Sequence, residues 1–142
     1  HFTVGELCEL DSPKYDGPSP IAPPDDMLTN IEHTLKFADK LRGLWGSPII
    51  CNSGYRPPLY NKMIGGADNS AHMHFRAMDL YPDNGQMKNW HRFIKVKMAG
   101  YKKSTKHDHA TGLGIYPWGV HIDIGIEYDG YNKHRRWDKL HG

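Results

Sequence analysis

The chain has 142 residues, is 38% hydrophobic and 11% aromatic, and carries a formal net charge of +2. That length predicts one domain over residues 1–142 with a single adequate core, and the composition excludes a disordered chain. No apolar run approaches the roughly 18 residues that span a membrane, and no helix-turn-helix, RRM or zinc-finger spacing supports a nucleic-acid partner. The expectation is therefore a monomer with no nucleic acid and no membrane as partner.

The small positive charge leans weakly towards an anionic polymer. The basic run His134-Arg135-Arg136 reads as solvated surface. No signal peptide is visible; the chain opens at His1 rather than Met, which fits removal of a leader or neighbouring segment. Cys8 and Cys51 are too few for a cysteine-rich zinc site, and either a disulfide or two buried thiols is open. Ten histidines are the unusual count, and with so few cysteines they point any metal site towards His and carboxylate ligands.

In chain order, Thr3 followed by Glu6 has the form of a capping box, so a short helix is expected within residues 2–10. Residues 11–24 hold five prolines and read as an ordered loop. Asp25 and Asp26 open a helix whose stripe is Met27, Ile31, Leu35, Ala38 and Leu41, with Gly43 and Gly46 as stop signals. Residues 48–51 form a short strand, Asn52-Ser53-Gly54 turns the chain, and a short helix covers 58–64 before Gly65-Gly66. Residues 67–72 read as a polar loop, 77–81 as a strand, and 86–98 as a helix ended by Gly100. Residues 101–111 read as a basic, His-rich loop. Gly112–Tyr116 and Gly119–Ile126 are strands around a Pro117-Trp118 turn, and 127–142 is a polar tail. The order predicts an α+β fold, a small antiparallel sheet flanked by helices.

Two segments carry the chemistry. In the first, Ser70 to Asp79, a His and an Asp with six residues between them can meet at one metal if a loop turns into a strand between them. Asp79 alternates with apolar Met78 and Leu80, so it faces a cleft, where an unpaired carboxylate is costly unless a cation meets it. In the second, His121 and Asp123 share a strand face while Val120, Ile122 and Ile124 face the core. A His-x-Asp pair on one strand is most often a surface pair, but both motifs in one short chain favour a metal. The ligand set His72, Asp79 and His121 leaves a fourth zinc position for water, the catalytic pattern. His74, His107 and His109 are rival ligands by residue type, and spacing does not exclude them.

The first segment resembles the Ser-x-His-x-x-Gly-x-Ala-x-Asp signature of the zinc D-alanyl-D-alanine peptidases, which share a fold with the hedgehog signalling domain. Ser70, His72, Ala77 and Asp79 fall in place, and Phe75 departs from the family's glycine. Ser53-Gly54-Tyr55-Arg56-Pro57, Asn61, Gly65-Gly66, Gly112-Leu-Gly114-Ile-Tyr116 and Val120-His121-Ile-Asp123 match further segments in order, so the resemblance covers roughly residues 1–126.

The resemblance implies one zinc ion held by His72, Asp79 and His121, hydrolysing a peptide bond in a peptidoglycan stem or cross-link peptide. Arg56 would stabilise the developing oxyanion, and Ser70 would orient the loop or hydrogen-bond behind the ligands. Tyr116 and Trp118 would line the cleft, and His109 and His74 are outside candidates for substrate contact or general base. Many members carry an acid three residues before the last His; here that residue is Trp118. Asp123 is therefore expected as general base or as the carboxylate orienting His121. Action at the cell wall, as a phage lysis or tail enzyme or a small periplasmic hydrolase, fits such a chain.

Overall fold

The computed structural model describes residues 1–104, 109–126 and 134–140, with side chains described for 1–100, 111–125 and 134–140. Helix α1 (Val4–Cys8) begins with the capping box expected from Thr3 and Glu6: the Thr3 hydroxyl accepts from the Glu6 N–H, and the Glu6 carboxylate accepts from the Thr3 N–H. A 3-10 segment (Asp25–Ile31) precedes helix α2 (Glu32–Trp45). The sequence predicts one α-helix from Asp25; its first turns are instead wound more tightly, without a side-chain cap. Gly46 ends α2 in the left-handed region at φ 78°, as a glycine stop signal should.

Strand β1 (Ile49–Ser53), helix α3 (Pro58–Met63), a 3-10 turn (Ala71–His74) and strand β2 (Ala77–Pro82) follow. Helix α4 (Met87–Ser104) runs through Gly100 rather than ending there. A glycine inside a helix costs only about 1 kcal/mol relative to alanine. Burial of Trp90, Ile94 and Met98, each 0% exposed, contributes several times that. Strand β3 (His109–Tyr116), strand β4 (Gly119–Ile126) and strand β5 (Arg135–Asp138) complete the fold.

The five strands make one sheet in the order β1-β2-β4-β3-β5. Every pairing is antiparallel except β3 with β5, which is parallel. The fold is thus α+β with a mostly antiparallel sheet. Strand β5 corrects the expected polar tail within the described part of that segment. No helix among the described residues is long and apolar enough to cross a membrane.

One sheet face carries Met78, Leu80, Leu113, Ile115, Val120, Ile122 and Ile124, all buried in one core cluster with Phe37, Ala38 and Leu41 of α2 and Trp90, Ile94 and Met98 of α4. Thr34, fully buried on α2, stitches this packing to the sheet. Its hydroxyl donates to the Arg76 carbonyl at 2.6 Å and accepts from the Ile124 N–H at 3.0 Å. The register then sets the opposite face. Ser53 pairs with Asp79, Asp79 with His121, His121 with Gly114, and Gly114 with Trp137, making one row across all five strands. One step along, Ala77, Asp123, Gly112 and Arg135 make a second row.

Candidate metal centre

Alternation on β2 and β4 puts Asp79 and His121 side by side, because they are direct cross-strand partners. His72 arrives from the 3-10 turn ahead of β2. Ser70 caps that turn, its hydroxyl accepting from the His72 N–H at 3.2 Å. The turn ends at Phe75, whose φ of 53° lies in the left-handed region. That is the signature position at which the family has glycine, and the cost for a non-glycine residue is about 1–2 kcal/mol. Burial of the Phe75 ring, 4% exposed and edge-on to Tyr55, offsets it. Phenylalanine thus takes the left-handed position at the end of the turn that presents His72.

Three donor atoms converge. His72 Nε2 lies 3.0 Å from Asp79 Oδ1 and 3.1 Å from His121 Nδ1, and His121 Nδ1 lies 3.2 Å from Asp79 Oδ1. All three residues are buried. The other nitrogen of each ring fixes its proton. His72 Nδ1 donates to the Gly54 carbonyl at 2.7 Å, so its Nε2 carries a lone pair. His121 Nε2 faces Asp123 Oδ2 at 2.6 Å, so in the neutral ring its Nδ1 carries the lone pair. A carboxylate oxygen and two imidazole lone pairs aimed at one point repel one another unless a cation sits among them. A tetrahedral zinc with bonds of about 2.0–2.1 Å spaces its ligands roughly 3.3 Å apart, close to the separations here. The residues present fit that ion.

The protonation tendencies agree. Burial alone would raise the Asp79 carboxyl, but in the metal-free chain the two imidazoles beside it, His72 and a protonated His121, outweigh burial and hold it well below the ordinary carboxylate range. Burial lowers His72, with Asp79 opposing. Burial would also lower His121, yet the carboxylates of Asp123 and Asp79 push it up to about 9. Without a metal, a proton on His121 is the cation the cluster takes.

Around these atoms lies a cleft of about 360 Å³. Arg56 lines it and is tied down on three sides, by Asp79 Oδ2 at 3.0 Å, Ser53 Oγ at 3.0 Å and Asn61 Oδ1 at 3.5 Å. Asp79 thus turns one oxygen to the imidazoles and the other to Arg56. Asn61, 2% exposed, also donates to the Ala67 carbonyl and so links Arg56 to the loop forming one rim. The other wall is aromatic. Tyr116 and Trp118 stack at 4.9 Å between ring centroids and 17° between planes, and Trp118 is 40% exposed.

Asp123 does not line this cleft. It is 1% exposed, with one oxygen on His121 Nε2 and the other on Arg135 Nη2. Burial would raise its carboxyl, but His121 and then Arg135 hold it below the ordinary carboxylate range. A base must present a lone pair to water in the cleft; this carboxylate is turned behind the imidazole. The geometry separates the two roles expected for Asp123 and supports the orienting one.

Of the rival histidines, His74 turns its Nε2 to Asn69 at 3.2 Å, outside the converging set. His107 and the side chain of His109 lie outside the described residues. Cys8 and Cys51 are free buried thiols, and burial pushes Cys51 up to about 12.

Sequence reading missed two residues of the site. The sequence pattern places Arg135 on a solvated surface and Trp137 in a tail, whereas both stand over the sheet face that carries the cluster. Trp137 sets its ring 5.2 Å from that of His121 and donates its indole N–H to the Tyr116 hydroxyl at 2.7 Å. The available signal was the pair Gly112 and Gly114. An added methyl at Gly112 would strike Asp123 and Arg135, and one at Gly114 would strike Trp137. Glycines at alternate positions of a strand announce that large side chains lie over it.

The family model of peptidase M15 matches residues 2–122 of this chain. A zinc D-Ala-D-Ala carboxypeptidase from Streptomyces albus G is 34% identical over 71 residues, which is 46% of this chain and 28% of that protein. The chain is thus matched to well under a third of that relative's length.

Proposed function

The chain belongs to the peptidase M15 family, and on that premise we propose that it hydrolyses a peptide bond in bacterial peptidoglycan at a single zinc ion, as a carboxypeptidase or an endopeptidase. One observation carries the reading. His72 Nε2, Asp79 Oδ1 and His121 Nδ1 converge within 3.2 Å of one another, each an atom that can offer a lone pair to a metal, beside an open cleft. The partial relative from Streptomyces albus G supports the substrate class by its name.

In this reading His72, Asp79 and His121 hold the metal. When bound, zinc polarises a carbonyl and activates water. The chain's own residues do the rest. Arg56 places a guanidinium at the cleft wall, anchored by Ser53, Asn61 and Asp79, where it meets charge developing on the scissile carbonyl oxygen. Ser70 holds the turn that presents His72. Asp123 fixes the tautomer and orientation of His121. Tyr116 and Trp118 form an apolar wall that a stem peptide packs against.

A second reading, a zinc-holding module that binds the wall peptide without cutting it, has one observation in its favour. Asp79, a ligand in this reading, is the only carboxylate lining the cleft among the described residues. Incubating zinc-loaded protein with purified muropeptides, with and without chelator, separates the two. The hydrolase reading predicts zinc-dependent appearance of new peptide termini. Intact muropeptides in the presence of stoichiometrically bound zinc would leave the binding module.

A further inference from the structure

We propose that Arg135 is a positioning residue for the metal centre, acting through Asp123 on His121, so that strand β5 belongs to the site rather than to a tail. The inference rests on the reading of His121 as a ligand. Arg135 lies beyond residues 2–122, the segment that the family model matches.

The register supplies the first argument. Gly112 on β3 is the cross-strand partner of Asp123 on β4 on one side and of Arg135 on β5 on the other. A side chain at residue 112 would stand between the carboxylate and the guanidinium. Glycine leaves the gap, and Arg135 Nη2 reaches across it to Asp123 Oδ1. Two residues on, the same device recurs: Gly114 lies between His121 and Trp137, and the indole ring leans over the gap to the imidazole. Two consecutive matches along one parallel pairing are a built feature of β5, whose side chains at 135 and 137 share a sheet face.

The chemistry supplies the second. An imidazole ligand must offer one nitrogen and keep its proton on the other. Asp123 Oδ2, 2.6 Å from His121 Nε2, makes that choice for His121. A carboxylate that is 1% exposed has few ways to be held, and the described partners of Asp123 are His121 and Arg135. Take Arg135 away and one oxygen of a buried anion is left without its cation. The group can then rotate, and the orientation of His121 Nδ1 towards His72 and Asp79 loosens. The contact of Arg135 that leads to the metal set is the one to Asp123 Oδ1, and the proposed effect on zinc passes along it.

The test measures zinc affinity of the full chain by competition with a chromophoric chelator. Partners that orient metal-bound imidazoles typically change affinity 10- to 100-fold, and one step further removed Arg135→Ala should weaken zinc about tenfold. Arg135→Lys should recover part of that loss. In an Asp123→Asn background, Arg135→Ala should change affinity less than about twofold, because the path is already cut. Wild-type affinity in Arg135→Ala, or losses that multiply in the double variant, would overturn the proposal. Should Arg135→Ala fail to fold by circular dichroism, Arg135→Lys in the two backgrounds gives the same comparison. His121→Ala separates the premise. If it keeps wild-type affinity, His121 is not a ligand and the underlying reading fails. If it loses zinc while Arg135→Ala does not, only the present inference fails.

Discussion

Replacing Asp79 by alanine removes two functions at once, and they can be measured apart. The first is the metal. Three protein donors at separations of 3.0–3.2 Å have comparable access to one ion. If they share a binding free energy on the order of 10–12 kcal/mol, losing one costs roughly 3–4 kcal/mol, about 10²- to 10³-fold in affinity. The second is the charge partner of Arg56, which is left with Ser53 and Asn61. Breaking a buried ion pair from one side costs about 3–5 kcal/mol. The Arg56 side chain keeps 15% exposure and two hydrogen bonds, so the lower end of that range is expected. Calorimetric melting of both proteins, with zinc and with chelator, reads the two effects separately. In chelator, Asp79→Ala should melt about 6–12 °C below wild type. At zinc about a thousandfold above the wild-type Kd, wild type should gain about 4 kcal/mol, or roughly 8–16 °C, and the variant only about 0.4–1.4 kcal/mol, or roughly 1–6 °C. An equal zinc-induced rise in both proteins would refute the assignment of Asp79 as a ligand.

Asp123→Asn should retain zinc, bound about 10- to 100-fold more weakly, because the amide no longer fixes the His121 tautomer as firmly; dialysis against buffered zinc with metal analysis checks it. In metal-free protein, His121 rises from an ordinary value of 6.5 to about 9. It therefore adds stability that is full below pH 6.5 and fades as pH climbs through 9. Zinc takes the place of that proton, so zinc binding should release about one proton near pH 7.5 and tighten up to pH 9. Calorimetric titration in buffers of different ionisation enthalpy measures the release. Thr34→Val removes two buried hydrogen bonds, the one to the Arg76 carbonyl and the one from the Ile124 N–H, and leaves that N–H without its hydroxyl acceptor. An unsatisfied buried N–H costs about 1–3 kcal/mol, so urea unfolding should show a stability loss of that order or larger with an unchanged m-value.

Much of the site was legible because its residues sit on short strands with strict alternation. Met78, Asp79 and Leu80 alternate, as do Val120 to Ile124, and parity alone put Asp79, His121 and Asp123 on one face. Parity did not say which way Asp123 turned. That depends on a cation arriving from β5, and β5 was not legible. Its four residues, Arg-Arg-Trp-Asp, have no apolar alternation, and they form a strand because β3 offers a parallel edge. A partner set by tertiary register leaves little trace in a local pattern. The same holds at Gly100, where the local breaker was outweighed by burial of Trp90, Ile94 and Met98 earlier in the helix. The resemblance located Phe75 as an exception, and the structure gives its physical reason, a left-handed residue steadied by packing against Tyr55.

The central claim is that one zinc ion sits among His72 Nε2, Asp79 Oδ1 and His121 Nδ1. Crystals grown with zinc, with diffraction recorded on either side of the zinc absorption edge, test it most directly. The account predicts one anomalous peak, about 2.0–2.2 Å from each of those three atoms, facing the cleft beside Arg56 and Trp118. A peak held instead by His74, His107 or His109, or by a cysteine, would contradict it.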